Sequence, residues 1–453
     1  MIKKVREFTL PAPCKQVRYC PVNMGKDREK AWAFIHSNTG EMNPWEETIY
    51  FPTDTLKITL MSDSGEVLWT KDLGPGTVPG TDFEPIISFD LNNDGVDEIW
   101  YLNNTRPECP LTMESRVLEC MDPITQEVLG QWPWPTYTAC ERIAHAYRFY
   151  LICGHANGEP VLVCAQGTYE DEYLQGWTWG SEGVKKRWDV KLAKEDKKAR
   201  ANHHTTVFDI NNDGIDELFY GERVISLADG HEVYCGDPGT FWAHSDILSI
   251  IEDPDDGKLY IFTAREGQYD PEDFADRVVM YDDKMNSVWR CSEGTHMHLG
   301  WVAAIGENRN YVCMAAQLLG EGKGSHAGAK KFFYFDAKTG KQLPPPLPYD
   351  GEEYIWPLDI NGDGYDEFIV GNDVVDRFNN KLGSFIGSAY TVGHILPELP
   401  GMQIMTMDHA NRKVCIFADD EAIDKPDKYA AYHRNMQSMM ASGGNRWTGV
   451  FGI

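Results

Sequence analysis

The sequence predicts an all-β chain, read as an eight-bladed β-propeller with seven blades as the competing count. Three observations predict it. Long helical periodicity is nearly absent, and short strand-like runs alternate with turn residues. One unit recurs: an alternating strand, a D-G-type or similar turn, and a second strand that often carries Trp. An acidic loop also recurs in three near-copies, each running straight into a strand.

The hairpin units follow in order. LKITLMSDSGEVLWTKDLG covers 56–74 and SRVLECMDPITQEVLGQW covers 115–132. EYLQGWTWGSEGVKKRWDV covers 172–190 and ERVISLADGHEVYCG covers 222–236. DRVVMYDDKMNSVWR covers 276–290 and KKFFYFDAKTGKQLP covers 330–344. NDVVDRFNNKLGSF (372–385) and RKVCIFADDEA (412–422) complete the set as weaker copies. Their spacing of very roughly fifty residues is that of propeller blades. A hairpin alone cannot bury both faces, whereas a ring of four-stranded blades does so with few exposed edges. Residues 1–453 are therefore read as a single propeller domain, with 423–453 closing the ring. Two tandem β-sandwiches are the alternative architecture.

The formal net charge is −28, from 70 acidic against 42 basic residues. That balance argues against nucleic acid as a partner, because phosphate binding needs a basic surface. No run of about eighteen apolar residues exists, so no membrane span is expected. The start MIKKVREFTLPAPCKQ has no apolar core of signal-peptide length. Eleven cysteines are scattered without C-x-x-C, which fits reduced thiols and a cytoplasmic location. A secreted protein with its leader removed is the alternative. The sequence leaves the oligomeric state open.

The repeated loop reads D-x-N-x-D-G-x-D-E. Side-chain oxygens fall at positions 1, 3, 5 and 9, Gly at position 6 permits the sharp turn, and position 7 can offer its carbonyl. This is the oxygen cage a hard cation such as Ca²⁺ needs. The ligands would be Asp90, Asn92, Asp94 and Glu98, then Asp209, Asn211, Asp213 and Glu217, then Asp359, Asn361, Asp363 and Glu367. A strand follows each loop, so the EF-hand reading fails. Without metal, the same residues would form an Asx-rich turn. Sites of this kind pin blade loops, which makes them scaffold rather than catalytic parts.

The loop resembles the FG-GAP-type calcium loops of propellers. The order of segments from about Leu56 to Ile453 resembles the rhamnogalacturonan lyases of polysaccharide lyase family 11. The stretches that carry this are FEPIISFDLNNDGVDE, PVLVCAQGTYEDEYLQGWTWG, NHHTTVFDINNDGIDELFYG, HSDILSIIEDP, TAREG and DKYAAYHRNMQSMMASGGNRWTGVFGI. The resemblance implies an eight-bladed, calcium-rich propeller that cleaves an acidic oligosaccharide or polysaccharide by metal-assisted β-elimination. Such chemistry removes a weakly acidic proton beside a uronate carboxylate. A cation or Arg must neutralise that carboxylate, and a base must reach the proton.

By position, the resemblance places His203, His244 and Glu266 as ligands of a metal near the site. Imidazole is an unusual Ca²⁺ ligand, which leaves Zn²⁺ or Mn²⁺ open there. Asn202 and His204 flank the set and would orient ligands or sugar. Two family arginines are missing. Gln166 stands at one position, in QGTY, and Gly300 at the other, in THMHLGWVAA. A lost Arg removes a natural carboxylate clamp. His298 would substitute as acid or base, with His296 nearby. Tyr169 would donate a proton. Lys323, in the Gly-rich LLGEGKGSHAGAKK, would contact a substrate carboxylate, and Lys381 is a further candidate. Abundant Trp and Tyr suit sugar stacking as well as blade packing. The rival reading is a non-catalytic, calcium-stabilised propeller that binds glycan or protein. A hydrolase on the same scaffold is a third.

Overall fold

In the computed structural model, the structure describes residues 1–40, 52–80, 83–110, 112, 114–135, 146–201, 203, 205–266, 276–294, 296–317, 331–348, 356–423, 429, 432 and 433. These residues form eight four-stranded antiparallel sheets arranged as an eight-bladed propeller. The N-terminal strand β1 (Ile2–Thr9) is set aside for the last blade. The first blade is β2 (Gln16–Val22), β3 (Ala31–Ser37), β4 (Lys57–Ser62) and β5 (Val67–Asp72). The second is β6 (Ile86–Phe89), β7 (Glu98–Asn104), β8 (Arg116–Met121) and β9 (Val128–Pro133). The third is β10 (Phe149–Ala156), β11 (Glu159–Gln166), β12 (Glu172–Gly180) and β13 (Gly183–Leu192).

The fourth blade is β14 (Thr206–Phe208), β15 (Glu217–Tyr220), β16 (Arg223–Ser226) and β17 (Glu232–Cys235). The fifth is β18 (Ser245–Glu252), β19 (Leu259–Arg265), β20 (Val278–Asp282) and β21 (Ser287–Cys291). The sixth is β22 (Met297–Ala304), β23 (Tyr311–Gln317), β24 (Lys331–Asp336) and β25 (Gln342–Leu343). The seventh is β26 (Trp356–Leu358), β27 (Glu367–Val370), β28 (Asp373–Val375) and β29 (Lys381–Ser384). The eighth is β30 (Ser388–Gly393), β31 (Gln403–Asp408) and β32 (Lys413–Asp419), completed by β1.

Seven of the eight expected hairpins are the outer two strands of a blade. The eighth, 412–422, is not a hairpin. It holds the single strand β32, whose outer partner is β1, in register from Ile2 opposite Asp419 to Thr9 opposite Lys413. Residues 2–9 carry no turn signal of their own, so only the ring geometry reveals this pairing. The closing role expected of 423–453 falls almost wholly outside the described residues.

Burial grades outward. β3 is buried throughout, while β5 and β9 are largely exposed. Each buried aliphatic or aromatic side chain of the inner strands contributes about 1.5–3 kcal/mol of transfer free energy. The recurrent Trp of the outermost strand has a specific use. Its indole N–H crosses to a carbonyl in the outer turn of the next blade. Trp69 donates to Pro123 at 2.7 Å, Trp188 to Leu227 at 2.9 Å and Trp289 to Ala337 at 2.7 Å. Gly340, at φ +68°, lies under the Trp289 ring, so the turn needs Gly for conformation and for space.

The acidic loops also join blades. Each lies between the first and second strands of its blade, the second, fourth and seventh. The Asp at position 8 reaches the end of the preceding blade's innermost strand or the residue just past it. Asp97 Oδ2 accepts from Asn23 N at 2.8 Å, Asp216 Oδ2 from His155 N at 2.7 Å and Asp366 Oδ2 from Ala304 N at 2.6 Å. The N–H groups of these three Asp residues donate back to Asn23, His155 and Ala304 carbonyls. The clip was not legible as such, because its partners lie in other blades. No helix among the described residues is long and apolar enough to cross a membrane.

Candidate metal centre

Antiparallel blades give the ring two distinct ends. Innermost strands begin at one end and finish at the other, so the acidic loops all emerge at the finishing end. His203 precedes β14, His244 precedes β18, Asp246 is the second residue of β18, Glu266 follows β19, and His296 and His298 bracket the start of β22. All six therefore lie at the opposite end, where the fourth, fifth and sixth blades start. Strand alternation explains the two pairs. His244 and Asp246, and His296 and His298, are each two residues apart and share a face.

Local contacts hold these segments together. Arg200 N donates to Ala243 O at 2.9 Å, placing the approach to His203 beside β18. Glu266 N donates to His244 O at 3.2 Å. Beneath Glu266, the fully buried Arg265 binds Glu222 with Nε to Oε1 at 2.8 Å, and its guanidinium also reaches Asp237 Oδ2 at 2.9 Å. The Arg265 guanidinium lies 4.0 Å from the Phe241 ring centre. Glu222 and Asp237 belong to the fourth blade, so this network joins it to the fifth.

Two groups of metal-ligating atoms come within 4.8 Å of one another: His203, His244, Asp246 and Glu266, and then Glu266, His296 and His298. His244 Nε2 contacts Glu266 Oε2 and lies 3.3 Å from Asp246 Oδ1. His203 Nε2 lies 3.6 Å from Asp246 Oδ1. His296 Nε2 lies 2.5 Å from Glu266 Oε1, and His298 Nδ1 lies 3.0 Å from Asp246 Oδ2. His244 Nε2, Asp246 Oδ1 and Glu266 Oε2 are buried yet make no contact of hydrogen-bond geometry. Buried polar atoms of this kind are normally satisfied. A cation between them would satisfy all three, and the mixed imidazole–carboxylate set would suit Zn²⁺ or Mn²⁺ better than Ca²⁺.

The electrostatics agree with that need. Burial opposes charge on His244, but Glu266 and Asp246 outweigh it and push the imidazole up to about 10. Burial likewise opposes charge on His298, and Asp246 holds it above its ordinary value. Burial pushes His203 down to about 3, against the pull of Asp246, and lowers His296 against that of Glu266. Burial disfavours ionised Asp246 and Glu266, and the Glu266 charge adds to it at Asp246. The histidines nevertheless hold both below the ordinary carboxylate range.

Of the other expected residues, Tyr169 lies against the cluster and Lys381 lies away from it. The Tyr169 ring stands edge-on to His244, with centres 5.0 Å apart, and Arg148 lies 5.9 Å over it. Lys381 opens an outermost strand at the acidic-loop end, 56% exposed and paired with Asp373 at 2.8 Å. It is thus at the wrong end to act with the histidines. Asn202, His204 and Lys323 lie outside the described residues. Neither position of the missing arginines offers a substitute clamp. Gln166 is buried and gives its amide to Ala146 O at 2.8 Å. At Gly300 a Cβ would meet Met314 O at 2.6 Å, so no side chain fits. Sequence reasoning did not assign Asp246 or His296 as ligands, although the alternation from His244 and His298 marks both.

The acidic loops are built alike. In each, the Gly N–H at position 6 donates to the first Asp at 2.8 or 2.9 Å. The Glu at position 9 folds back, accepting from Leu91, Ile210 and Ile360 N at 3.0, 3.0 and 3.1 Å. Burial, with the neighbouring Asp residues adding to it, pushes Glu98 and Glu217 up to about 8 and Glu367 up to about 9. Such an all-oxygen set could hold Ca²⁺.

Residues 145–333 match the model of rhamnogalacturonan lyase family 11, C-terminal domain. The chain is 28% identical over 163 residues to the rhamnogalacturonan exolyase YesX of Bacillus subtilis (strain 168). That alignment covers 35% of this chain and 25% of that protein, so the match spans about a quarter of the relative's length. The Bacillus licheniformis rhamnogalacturonan lyase PL11 superposes with a TM-score of 0.79 at 17% identity, over 100% of this chain and 82% of that one. The exotype rhamnogalacturonan lyase YesX gives 0.75 at 15% identity, over 98% and 80%. These structures share the fold. The segment that carries the family 11 C-terminal signature, 145–333, is also the one that supplies every member of the His–carboxylate cluster.

Proposed function

We propose that the protein is a polysaccharide lyase that cleaves rhamnogalacturonan-like acidic glycans by β-elimination at the end of the ring where the histidines gather. The observation that carries this reading is the convergence of His203, His244, Asp246 and Glu266 within the segment matching the family model. These four side chains would hold a divalent cation. A cation there supplies the positive charge that a uronate carboxylate needs while its neighbouring proton is removed. A surface at −28 otherwise repels a polyuronate.

The chain's own groups divide the remaining work. Burial holds the Tyr169 phenol well above its ordinary value, so it stays protonated at neutral pH and suits donation to the leaving oxygen. Asp246 fixes the His298 ring through Nδ1. With its side chain 28% exposed, His298 is the most open of the four histidines and so the one placed to exchange a proton with substrate. The acidic loops hold structural Ca²⁺ in this reading and serve the ring rather than the chemistry.

A second reading, a glycan-binding propeller without activity, is favoured by one observation. Gly300 and Gln166 leave no guanidinium at the two positions where the resembled family has one. The test is direct. Protein with Ca²⁺ is mixed with rhamnogalacturonan oligosaccharides, and the near-ultraviolet absorbance of an unsaturated uronate is followed with and without Mn²⁺ or Zn²⁺. A rise that chelation removes and His203→Ala abolishes supports the lyase. A flat trace, with binding seen by calorimetry, moves the assignment to the binding propeller.

A further inference from the structure

The cluster contains more ligands than one ion uses. Asp246 turns Oδ1 toward His203 and His244, and Oδ2 toward His298. Glu266 turns Oε2 toward His244 and Oε1 toward His296. Each carboxylate thus turns one oxygen toward the His203–His244 side and the other toward the His296–His298 side. The His296 and His298 rings stand with centres 4.0 Å apart, and the His203 and His244 rings 5.1 Å apart. We propose that the chain binds two first-row divalent transition-metal ions side by side. One sits on His203 and His244, the other on His296 and His298, and Asp246 and Glu266 bridge them.

The donor chemistry selects the class of ion. Two imidazoles and two carboxylate oxygens on each side suit Mn²⁺ or Zn²⁺, whereas Ca²⁺ prefers an all-oxygen cage of the kind the three acidic loops offer. Carboxylates that bridge in this way hold paired ions roughly 3.5–4 Å apart. Two adjacent cations match the two oxygens of one carboxylate, which compensates for the absent guanidinium. That last role rests on the proposed lyase function; the paired site itself does not. The assignment also changes the part played by His298, from proton carrier to ligand.

The experiment uses the full chain, chelator-stripped, held in saturating Ca²⁺ to fill the acidic loops, and titrated with Mn²⁺ alone. Electron paramagnetic resonance and the metal content after desalting are both read. Two ions per chain and an exchange-coupled spectrum in place of the isolated six-line Mn²⁺ signal are expected. Replacing both His296 and His298 by Gln should halve the stoichiometry and restore the isolated signal, with an unchanged circular dichroism spectrum. One ion per chain in the unmodified protein, or two that show no coupling, overturns the proposal without reference to any variant's folding. Glycan cleavage is measured separately. A coupled pair without cleavage keeps this inference and removes the lyase; cleavage with a single ion does the reverse.

Discussion

The two ends of the propeller are built on different principles. At one end a nine-residue acidic loop appears three times with the same internal bonds and the same Asp clip to the preceding blade. At the other, six side chains from three blades meet once, and nothing about them repeats. Repetition belongs to a joint used at several blade interfaces. Convergence belongs to a task performed in one place. In the proposed function the loops serve the ring and the histidines serve its chemistry.

The largest effects should separate the ends. His203→Ala is expected to abolish glycan elimination while shifting the melting midpoint little. Asp359→Ala, in the third acidic loop, should lower the midpoint and the stabilisation gained from Ca²⁺, with kcat of the folded fraction kept. Parallel activity and melting assays decide it. If Asp359→Ala is as inactive as His203→Ala, the division between the ends fails.

The next effect shows that the histidine end also rests on structure. Glu222→Ala leaves Arg265 buried beneath Glu266 without its main carboxylate partner. A loss of about 3–5 kcal/mol is expected by urea unfolding. A loss below 1 kcal/mol, by the same urea measurement, would show water or another group taking over, at odds with a fully buried guanidinium.

A third prediction compares two buried histidines. His244 is pushed up to about 10 by carboxylates, whereas His36, in the first blade, is pushed down to about 4, mainly by burial. The unfolded chain takes up the His36 proton near 6.5, before the folded protein does. Stability that is fully present above that pH is lost as pH falls toward 4, by up to about 3 kcal/mol. His36→Gln should flatten that part of the stability profile. An unchanged slope assigns the loss to other groups.

The smallest effect tests the Trp latches. Gly340→Ala places a Cβ 2.6 Å from the Trp289 ring at φ +68°. A cost of about 1–3 kcal/mol is expected in thermal or urea unfolding, with metal content unaltered.

The blades were legible because each hairpin announces itself locally, by alternation, a turn and a Trp. The eighth was misread as a hairpin because half of it lies at the other end of the sequence. The acidic loops were legible as Asp- and Asn-rich turns leading into strands, but the Asp at position 8 had no visible partner until Asn23, His155 and Ala304 were brought to it. His203, His244 and Glu266 were found through resemblance rather than spacing. Asp246 and His296 were missed although each lies two residues from a named histidine. Lys381 shows the converse limit, since a basic residue on a strand does not reveal which end of the ring it faces.

The N-terminal strand, paired with β32 across the ring, makes the last blade a knot between the two extremes of the chain. Lys3 meets Asp420 over a sequence separation of 417 residues. A contact of such high order carries a loop-closure cost that no neighbouring turn reduces. β1 thereby covers the edge of β32, a strand of largely buried residues that would otherwise be open to pairing with another chain.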